Sequence, residues 1–393
     1  MRILLVNKFY YQRGGDCTAV FSTEKLLKSK GHDVAIFSMQ YPENAHTIWE
    51  DYFPREVNFA TSGISGKVSA ATRIFHSPEV AKKFKQLISD FKPDVIHLHN
   101  IHSYISPLVA EIASKKGIRT VWTLHDYKLI CPAYSCIRNG VACEKCFRSK
   151  ADVIKHKCMK NSNIASILAY MEARYWNRKK LTGMTNMFIS PSMFLKTKMT
   201  EAGFSPEQIE VLPNFMSNQI ALETEKDDYY CYTGRLSAEK GIDTLLEAAG
   251  KLPYKLKILG GGPLLETYRK KYQTEQIEFL GHVTPETLFP IVQKARFLVI
   301  PSVCYDNNPF SVIEALCMGT PVVGSRIGGI PELIEDGKNG FLFTPGDTSG
   351  LQDKINLCFS DNIVFDYEKI AAAAYNKFSP DTFYNKLMKI YEH

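Results

Sequence analysis

Two acidic side chains mark the stretch of sequence whose residue types are best suited to chemistry. Asp306 lies in a polar loop and Glu314 in the helix predicted after it, in PSVCYDNNPFSVIEALC. An apolar strand precedes the loop and a glycine-rich turn follows the helix, so both carboxylates could approach one polar ligand. A turn residue and a solvated helix acid are the alternative interpretation of this pair.

The helix start between the two acids predicts an anion site. Asn308 favours the N-cap position and Pro309 the first helical position. The amides of Phe310 and Ser311 would then have no backbone acceptor, and such amides attract anions together with the helix dipole. Glu314 follows about one and a half turns later, so it could reach a polar ligand whose phosphate lies at the helix end.

The first predicted strand ends in a loop, NKFYYQRGGD, that contains two adjacent glycines. Gly14 and Gly15 would let the backbone approach a ligand at the start of the first helix. The spacing GxGxxG of dinucleotide-binding turns is absent here and in the turn 260–263. The main sequence argument for an oxidoreductase, a dinucleotide-binding turn, is therefore missing.

Histidines follow two further predicted strands. His125 ends the strand in TLHD, and its imidazole could bond a substrate oxygen or stabilise developing charge, or simply cap the strand. In DVIHLHN, His97 and His99 share one face of a strand. His99 and Asn100 could line a cleft, and metal binding is the alternative.

Two cations flank the turn TGRLSAEKG, which follows the strand YYCY. Arg235 offers a forked contact and Lys240 a point charge, so together they could clamp a phosphate. Solvated surface cations are the competing interpretation. A further strand-end turn, Gly281, His282 and Val283, could recognise a flat base edge through its backbone.

The elements that must position these loops alternate between apolar strands and helical patterns. This alternation predicts parallel sheets, and it restarts after a polar segment near 212–228. A chain of 393 residues exceeds one ordinary core. We therefore predict an α/β fold of two doubly wound domains, 1–192 and 193–370, with a ligand cleft between facing strand ends and a final helix, 371–393, that crosses back toward the N-terminal domain.

The two halves differ in charge. Residues 1–192 carry 28 Lys and Arg against 15 Asp and Glu, whereas residues 193–393 carry 20 against 26. The basic half would suit a phosphate-bearing acceptor or an anionic membrane face, or it is a lysine-rich solvated surface. No motif supports binding to nucleic acid. The run RILLV is too short for a signal peptide and no stretch has the length of a membrane helix, so we expect a cytoplasmic protein.

Five of the ten cysteines fall within residues 131–158. Four of them have a spacing that is plausible for a structural zinc site: Cys131, Cys143, Cys146 and Cys158. Reduced cysteines without metal are the alternative, and disulfides are disfavoured in the cytoplasm.

A predicted helix downstream mixes cations with aromatic rings. It would suit the surface of an anionic membrane that bears a lipid-linked acceptor, or it is a solvated helix with a buried aromatic stripe. The residues are Arg174, Tyr175, Trp176, Arg178, Lys179 and Lys180.

The ordered motifs resemble those of the retaining glycosyltransferases of family four, which have the GT-B fold and use nucleotide sugars. RGGD, TLHD, GRLSAEKG, LGHV and the run NNPFSVIEALCMGTPVVGSRIGGIPELIEDGKNGFL occur in order across nearly the whole chain. The resemblance implies two Rossmann-like domains, with the acceptor bound by the N-terminal one and the nucleotide sugar by the C-terminal one. It implies transfer of a hexose from a UDP- or GDP-sugar to a glycan or lipid-linked acceptor, with retention of configuration and no catalytic metal. It also implies a role in the biosynthesis of a capsule, an O-antigen or another glycoconjugate, with peripheral contact to the inner face of the cytoplasmic membrane.

The resemblance also implies roles for the residues that match the family's motifs. Arg235 and Lys240 would hold the donor diphosphate, Glu314 the ribose hydroxyls, and His125 would lie close to the sugar. The family usually carries Glu where this chain has Asp306, so contact of this shorter acid with the sugar could need a water or a shifted loop. The remaining donor-binding positions are Gly14, Gly15, Gly234, Gly281, His282, Val283, Asn308, Pro309, Phe310 and Ser311.

Two alternative functions stay open beside a glycosyltransferase. One is a non-catalytic module of the same fold that binds sugar nucleotides, and the other is a GT-B sugar-nucleotide epimerase. Transfer to an acceptor, or hydrolysis of the donor, would distinguish a glycosyltransferase from the non-catalytic module. Conversion of the donor without an acceptor would identify the epimerase.

A subset of family four carries a similar cysteine insertion after the HD strand. The resemblance therefore implies a loop that a zinc ion holds in place beside the acceptor cleft.

Overall fold

The computed structural model describes residues 1–56, 73–217 and 220–392, which divide into two compact units. The first unit comprises the described residues of Met1–Cys136, Cys143–Leu212 and Tyr384–His393. The second comprises those of Ile137–Ala142 and Pro213–Phe383. Each unit is built on one six-stranded sheet whose paired strands run parallel, which confirms the doubly wound α/β fold.

The first sheet has the strand order β2-β1-β3-β4-β7-β8. Its strands are apolar along their length because helices cover both faces, and Trp122 is among the largest side chains buried in this unit. The strands are β1 (Arg2–Val6), β2 (Asp33–Phe37), β3 (Val95–Leu98), β4 (Arg119–Thr123), β7 (Met187–Ser190) and β8 (Ile209–Val211). The α-helices are Gly15–Ser29, Pro78–Phe91, Leu108–Lys115, Lys145–Arg148, Asp152–Lys155, Asn163–Tyr175, Arg178–Met184 and Met193–Glu201.

The second sheet has the order β11-β10-β9-β12-β13-β14. Tyr230 and Tyr232 on its central strand are almost fully buried. The strands are β9 (Tyr229–Thr233), β10 (Lys255–Leu259), β11 (Ile277–Gly281), β12 (Leu298–Ile300), β13 (Val322–Ser325) and β14 (Gly340–Phe343). The α-helices are Ile242–Ala249, Leu265–Tyr272, Pro285–Lys294, Phe310–Cys317, Thr348–Phe359 and Tyr367–Phe378.

Each sheet has a point where the strand order reverses. In the first sheet it lies between β1 and β3, and in the second between β9 and β12. Ligands of open α/β sheets bind beyond the carboxyl ends of the strands at such a point, because the flanking loops diverge there. The loops that follow these four strands are therefore the candidate sites.

The cysteine-rich insertion lies between β4 and β7. It contains a short antiparallel hairpin, β5 (Ile137–Arg138) and β6 (Val141–Ala142), followed by the two one-turn helices Lys145–Arg148 and Asp152–Lys155. Four short 3₁₀ helices complete the described elements, at Glu50–Tyr52, Pro206–Gln208, Ala238–Lys240 and Ile330–Glu332.

The boundary between the units lies later than the predicted one at residue 193. Strand β8 pairs with β7 and extends the first sheet, so the first unit continues to Leu212. The predicted final segment, 371–393, is also not one element. It covers the end of the helix Tyr367–Phe378 and the whole helix Pro380–Glu392, whose residues from Tyr384 onward belong to the first unit.

Candidate functional site

An ion pair joins the loops that follow β9 and β12 at the switch point of the second sheet. Lys240 Nζ lies 2.5 Å from Asp306 Oδ1, and the two side chains are 28% and 15% exposed. The Ser302 hydroxyl donates a hydrogen bond to the other carboxylate oxygen, Oδ2. Both oxygens of Asp306 are thus engaged by groups of the protein, and the carboxylate holds the lysine in place.

The pair keeps Lys240 charged. Burial alone would lower the pKa of the ammonium, but the attraction of Asp306 outweighs it and the pKa stands above its ordinary value. Lys240 therefore carries a fixed positive charge at the switch point at neutral pH.

Two glycines allow the loops of this ion pair to approach closely. Gly241 has φ of +66°, and a Cβ there would lie 1.9 Å from the Pro301 carbonyl oxygen. Gly328 has φ of +62°, and a Cβ there would lie 2.3 Å from the Asp306 carbonyl oxygen. Any larger residue would push the loops apart, so both positions need glycine to place Lys240 beside Asp306.

Arg235 follows β9 and is exposed. Among the described residues its guanidinium has no hydrogen bond or ion pair, whereas its carbonyl accepts a 3.0 Å hydrogen bond from the Tyr232 hydroxyl. The backbone is therefore anchored while the charged group stays free. Gly234 precedes it, and a Cβ there would lie 2.8 Å from that same hydroxyl oxygen.

The prediction of Asn308 as the N-cap and Pro309 as the first helical residue was wrong by one position. Pro309 is the N-cap, and the helix begins at Phe310. Asn308 does not cap the helix because its Oδ1 accepts from the amide of Asn214 at 2.8 Å. The Asn214 side chain in turn donates to the Asn308 carbonyl at 2.8 Å, which fixes the loop before the helix.

The amides of the first helical turn are free as predicted from an N-terminal helix start. Within residues 1–56, 73–217 and 220–392, neither the Phe310 nor the Ser311 amide donates a hydrogen bond. Both lie on the first turn of an eight-residue helix, where the dipole favours negative charge. This helix end can accept an anionic group.

Glu314 is a half-buried acid on the same helix. In the part of the chain that the structure describes, its carboxylate has no hydrogen-bond donor and no cation as a partner. Burial raises its pKa to about 7. A half-buried carboxylate without a partner can accept further hydrogen bonds, so Glu314 is suited to hydroxyl groups that a ligand would bring.

The turns that follow β9, β10 and β11 contact one another in series. A Cβ at Gly260 would lie 1.9 Å from the Gly234 carbonyl, and the Gly260 amide donates to the Gly281 carbonyl at 2.7 Å. His282 is exposed and Val283 half-buried directly after Gly281. The predicted base-recognition turn therefore belongs to the same loop cluster as Gly234 and Arg235.

A second polar cluster lies at the switch point of the first sheet. The Asn100 amide donates to Asn7 Oδ1, and the Asn100 side chain donates to Asp16 Oδ2, both at 3.0 Å. Asp16 follows the two predicted glycines: Gly14 is the N-cap and Gly15 begins the first helix. Gly14 has extended backbone, so a left-handed conformation is not what its position requires.

The histidines at this switch point form hydrogen-bonded pairs. His99 Nδ1 lies 2.9 Å from His125 Nε2, and the two rings are stacked. His97 bonds the Tyr391 hydroxyl and the Thr123 hydroxyl, each at 2.7 Å. Burial lowers the pKa of His125 to about 4 and that of His97 to about 3, so both rings are neutral at physiological pH.

Two buried polar atoms in this cluster lack partners in the described chain: His99 Nε2 and Asn100 Oδ1. Beside them, the Asp16 carboxylate stays ionised. Burial would raise its pKa, but the hydrogen bond from the Asn100 side chain, the charge of Lys8 and the hydrogen bond from the Cys17 amide turn the shift downward. Neutral imidazoles, an amide and a carboxylate together make a site for a hydroxyl-rich ligand.

Sequence reasoning missed several members of these clusters. Asp16 was visible in the motif RGGD but was not assigned a role, although its position after β1 at a switch point could have identified it. Ser302, Asn214 and Asn7 carried no local signal, because their roles depend on partners that are distant in sequence.

The cysteine insertion does not assemble the predicted zinc site. Over the described ranges, the four predicted ligands Cys131, Cys143, Cys146 and Cys158 are not grouped so that they could hold a metal ion. Instead, the thiols of Cys136 and Cys146 donate hydrogen bonds to the sulfur of Cys131, which lowers the pKa of Cys131. Cys143 contributes its amide to the Cys136 carbonyl at 2.7 Å, so it closes the hairpin.

Two family models match the chain. The model of Glycosyltransferase Family 4 matches residues 14–218, and the model of Glycosyl transferases group 1 matches residues 227–361. An uncharacterized 42.6 kDa protein in the cps region of Klebsiella pneumoniae is 28% identical over 353 residues, which are 85% of this chain and 87% of the relative.

Solved structures share the fold over the full chain. The lipopolysaccharide outer core galactosyltransferase WaaB in its apo form has a TM-score of 0.66 and 17% identity, and the alignment covers 100% of this chain and 99% of WaaB. Anabaena Alr3699/HepE in complex with UDP and glucose has a TM-score of 0.67 and 19% identity, with 99% of each chain covered.

Proposed function

The chain belongs to Glycosyltransferase Family 4, and on this premise we propose that it transfers a hexose from a UDP- or GDP-sugar to a glycan or lipid-linked acceptor with retention of anomeric configuration. The likeness to HepE in complex with UDP and glucose supports a nucleotide-sugar donor. The relative in a cps region and the likeness to WaaB support a role in surface polysaccharide assembly.

The observation that carries the proposal is the unpartnered carboxylate of Glu314 on the helix whose first amides are free. The ribose of a nucleotide offers two neighbouring hydroxyls that can donate to one carboxylate, and its diphosphate can meet the amides of Phe310 and Ser311. A nucleotide sugar would therefore supply hydrogen-bond partners both for the free amides of Phe310 and Ser311 and for the carboxylate of Glu314.

The cations of the same loop cluster would stabilise the leaving group. Arg235 is free to bind a phosphate through its forked guanidinium, and Lys240 is held charged by Asp306. Negative charge grows on the diphosphate as its bond to the sugar breaks. Fixed cations and amides thus stabilise the transition state more than the bound substrate.

We assign the polar cluster of the first unit to the sugar and the acceptor. Neutral His125 would hydrogen-bond a sugar hydroxyl, while Asn100 and Asp16 offer further polar contacts beside it. In the proposed reaction the acceptor hydroxyl attacks the anomeric carbon on the face from which the diphosphate departs. The bond to the diphosphate breaks, the bond to the acceptor forms, and the acceptor proton passes to a diphosphate oxygen.

A thermal-shift screen of UDP- and GDP-sugars followed by product analysis tests the proposal. A ligand at a hundred times its dissociation constant should stabilise the protein by about 2.7 kcal/mol. With that donor and an acceptor, NMR should show a product whose anomeric configuration equals that of the donor. A product of inverted configuration, or epimerisation of the donor without acceptor, would contradict the proposal.

A further inference from the structure

The helix Asn163–Tyr175 of the first unit has its apolar stripe on the solvent side. Its inward face carries Ser166, Ala169 and Glu172, which are buried. Its outward face carries four large apolar side chains with exposures of 74, 42, 46 and 40%: Ile164, Ile167, Met171 and Tyr175. The spacing of three, four and four residues aligns them on one stripe, about 16 Å long at 1.5 Å per residue.

The charges around this stripe are almost all positive. Residues 155–186 contain seven Lys and Arg and one acid, Glu172. Glu172 is 4% exposed and pairs with Lys128 at 2.9 Å, so no carboxylate of this segment faces solvent. The exposed cations are Lys155, Lys157, Lys160, Arg174, Arg178, Lys179 and Lys180.

We propose that this stripe and its flanking cations, the basic apolar surface, dock the protein on an anionic lipid bilayer. The apolar side chains would enter the boundary between headgroups and acyl chains while the cations attract anionic headgroups. Tyr175 lies at the end of the stripe with Lys180 Nζ 3.8 Å from its ring centroid, which suits a side chain at headgroup level. No helix among the described residues is long and apolar enough to cross a bilayer.

Charge complementarity favours a bilayer over a second copy of this chain. A two-fold contact through the stripe would set the seven cations of one copy against those of the other, with no exposed acid of the segment to neutralise them. A bilayer with acidic headgroups presents the opposite charge over a wide, flat area. Trp176 does not take part, because it is buried and its indole donates to the Ile74 carbonyl at 2.9 Å.

The inward face of the same helix is tied to the loop that follows His125. Glu172 accepts from the Ser103 amide at 2.9 Å and pairs with Lys128, three residues after His125. Since the proposed function places the sugar and acceptor near His125, a docked helix would bring a lipid-linked acceptor to that loop. This step rests on the proposed function, whereas the docking itself does not.

Co-sedimentation of the purified full chain with vesicles tests the docking. Vesicles of phosphatidylcholine with 30% phosphatidylglycerol, taken as a roughly physiological anionic share, should bind the protein, and vesicles of phosphatidylcholine alone should bind it weakly. The variant Ile164→Ser/Ile167→Ser should bind the anionic vesicles about tenfold less tightly, because it loses apolar surface that would be buried in the lipid. Lys179→Ala/Lys180→Ala should also weaken binding and flatten its salt dependence.

Matched control variants distinguish binding through the basic apolar surface from nonspecific binding to the vesicles. Val364→Ser removes a side chain that is 92% exposed elsewhere, and Lys251→Ala/Lys270→Ala removes two exposed charges elsewhere, so both variants should bind like the wild type. All variants should keep the wild-type melting temperature and the thermal shift with the donor, so loss of docking is distinguishable from failure of the proposed function. Equal binding of all variants, no binding to anionic vesicles, or a dimer that Ile164→Ser/Ile167→Ser dissociates would overturn the proposal.

Discussion

Asp306 Oδ1 lies 2.5 Å from Lys240 Nζ, and its Oδ2 accepts from the Ser302 hydroxyl. Both carboxylate oxygens are thus turned toward groups of the protein. The acid therefore serves to position the lysine and to hold its charge. This relationship makes Asp306 a positioning residue for Lys240, and it defines the first prediction.

Asp306→Asn should lower turnover in a pH-dependent way. Without the carboxylate, burial is the largest remaining influence on Lys240 and lowers its pKa, so the lysine loses its proton as the pH rises through a lower value than in the wild type. The variant should therefore lose activity progressively toward alkaline pH. Turnover measured between about pH 7 and pH 10 checks this, since the ordinary pKa of Lys lies near the top of that range.

Ser302→Ala is the matched control for Asp306→Asn. It removes the hydrogen bond to Oδ2 but leaves the carboxylate beside Lys240, so its pH profile should keep the wild-type shape. Identical profiles for Asp306→Asn and the wild type would show that Asp306 does not set the charge of the lysine.

Arg235→Ala should reduce turnover strongly without changing stability. The guanidinium is exposed and has no partner among the described residues, so its removal leaves no buried group unsatisfied. Under the proposed function Arg235 faces the leaving diphosphate, so the loss of this one fixed charge should cost about a hundredfold to a thousandfold in kcat. The melting temperature should stay unchanged.

Lys251→Ala is the matched control, because it removes an exposed cation just beyond the far end of the helix Ile242–Ala249, and its turnover should equal that of the wild type. Wild-type turnover in Arg235→Ala would refute the proposed role of Arg235 in binding the diphosphate.

Much of the fold and the location of the candidate site could be predicted from the sequence, because both depend on local patterns and on a topological rule. Alternating apolar strands and helices specified the parallel sheets, and the strand-end loops carry the polar groups in both units. The free amides after Pro309 followed from the same kind of local signal. These features need only a few neighbouring residues to be recognised.

The remainder depends on partners that are far apart in the chain. Asn308 has the ideal residue type for an N-cap, but Asn214, 94 residues earlier, uses its side chain instead. The cysteine spacing favoured Cys143, whereas the fold of the hairpin places Cys136 against Cys131. The first unit ends at Leu212, where the polar segment 212–228 begins, but the pairing of β8 with β7 that places residues 193–212 in this unit has no marker in the sequence. Contacts between residues that are far apart in the chain leave no recognisable pattern in a single sequence.

The first unit should lose stability selectively in mild acid. Three buried histidines, His97, His99 and His102, and the half-buried His125 have lowered pKa values, which are about 3 for His97 and about 4 for His125. Below the unfolded pKa near 6.5 the unfolded chain binds protons that the folded unit excludes, so stability falls as the pH falls, by about 1.4 kcal/mol per pH unit for each such histidine. Urea unfolding at pH 7 and pH 5 measures this, and tryptophan fluorescence reports it because Trp49, Trp122 and Trp176 all lie in the first unit.

Histidine variants provide the control for the acid effect. His97→Gln should reduce the difference in unfolding free energy between pH 7 and pH 5, because one buried imidazole no longer titrates. His46→Gln changes a side chain that is 86% exposed, so it should leave that difference as it is. An equal loss of stability in all three proteins would refute the assignment to the buried histidines.

Binding of the nucleotide sugar should strengthen as the pH rises through 7. Burial raises the pKa of Glu314 to about 7 in the free protein, and ribose hydroxyls that donate to the carboxylate favour its ionised form. The protein must therefore release a proton on binding at pH 6, where only about a tenth of Glu314 is ionised, so the affinity should be about tenfold lower at pH 6 than at pH 8. Calorimetric titration with the donor identified by thermal shift checks this, because the diphosphate of a nucleotide sugar does not titrate in that range.

Glu314→Gln is the control, because its side chain cannot ionise. This variant should bind the donor weakly, with an affinity that does not change between these pH values. A wild-type affinity that is equally independent of pH would show that Glu314 does not contact the ligand.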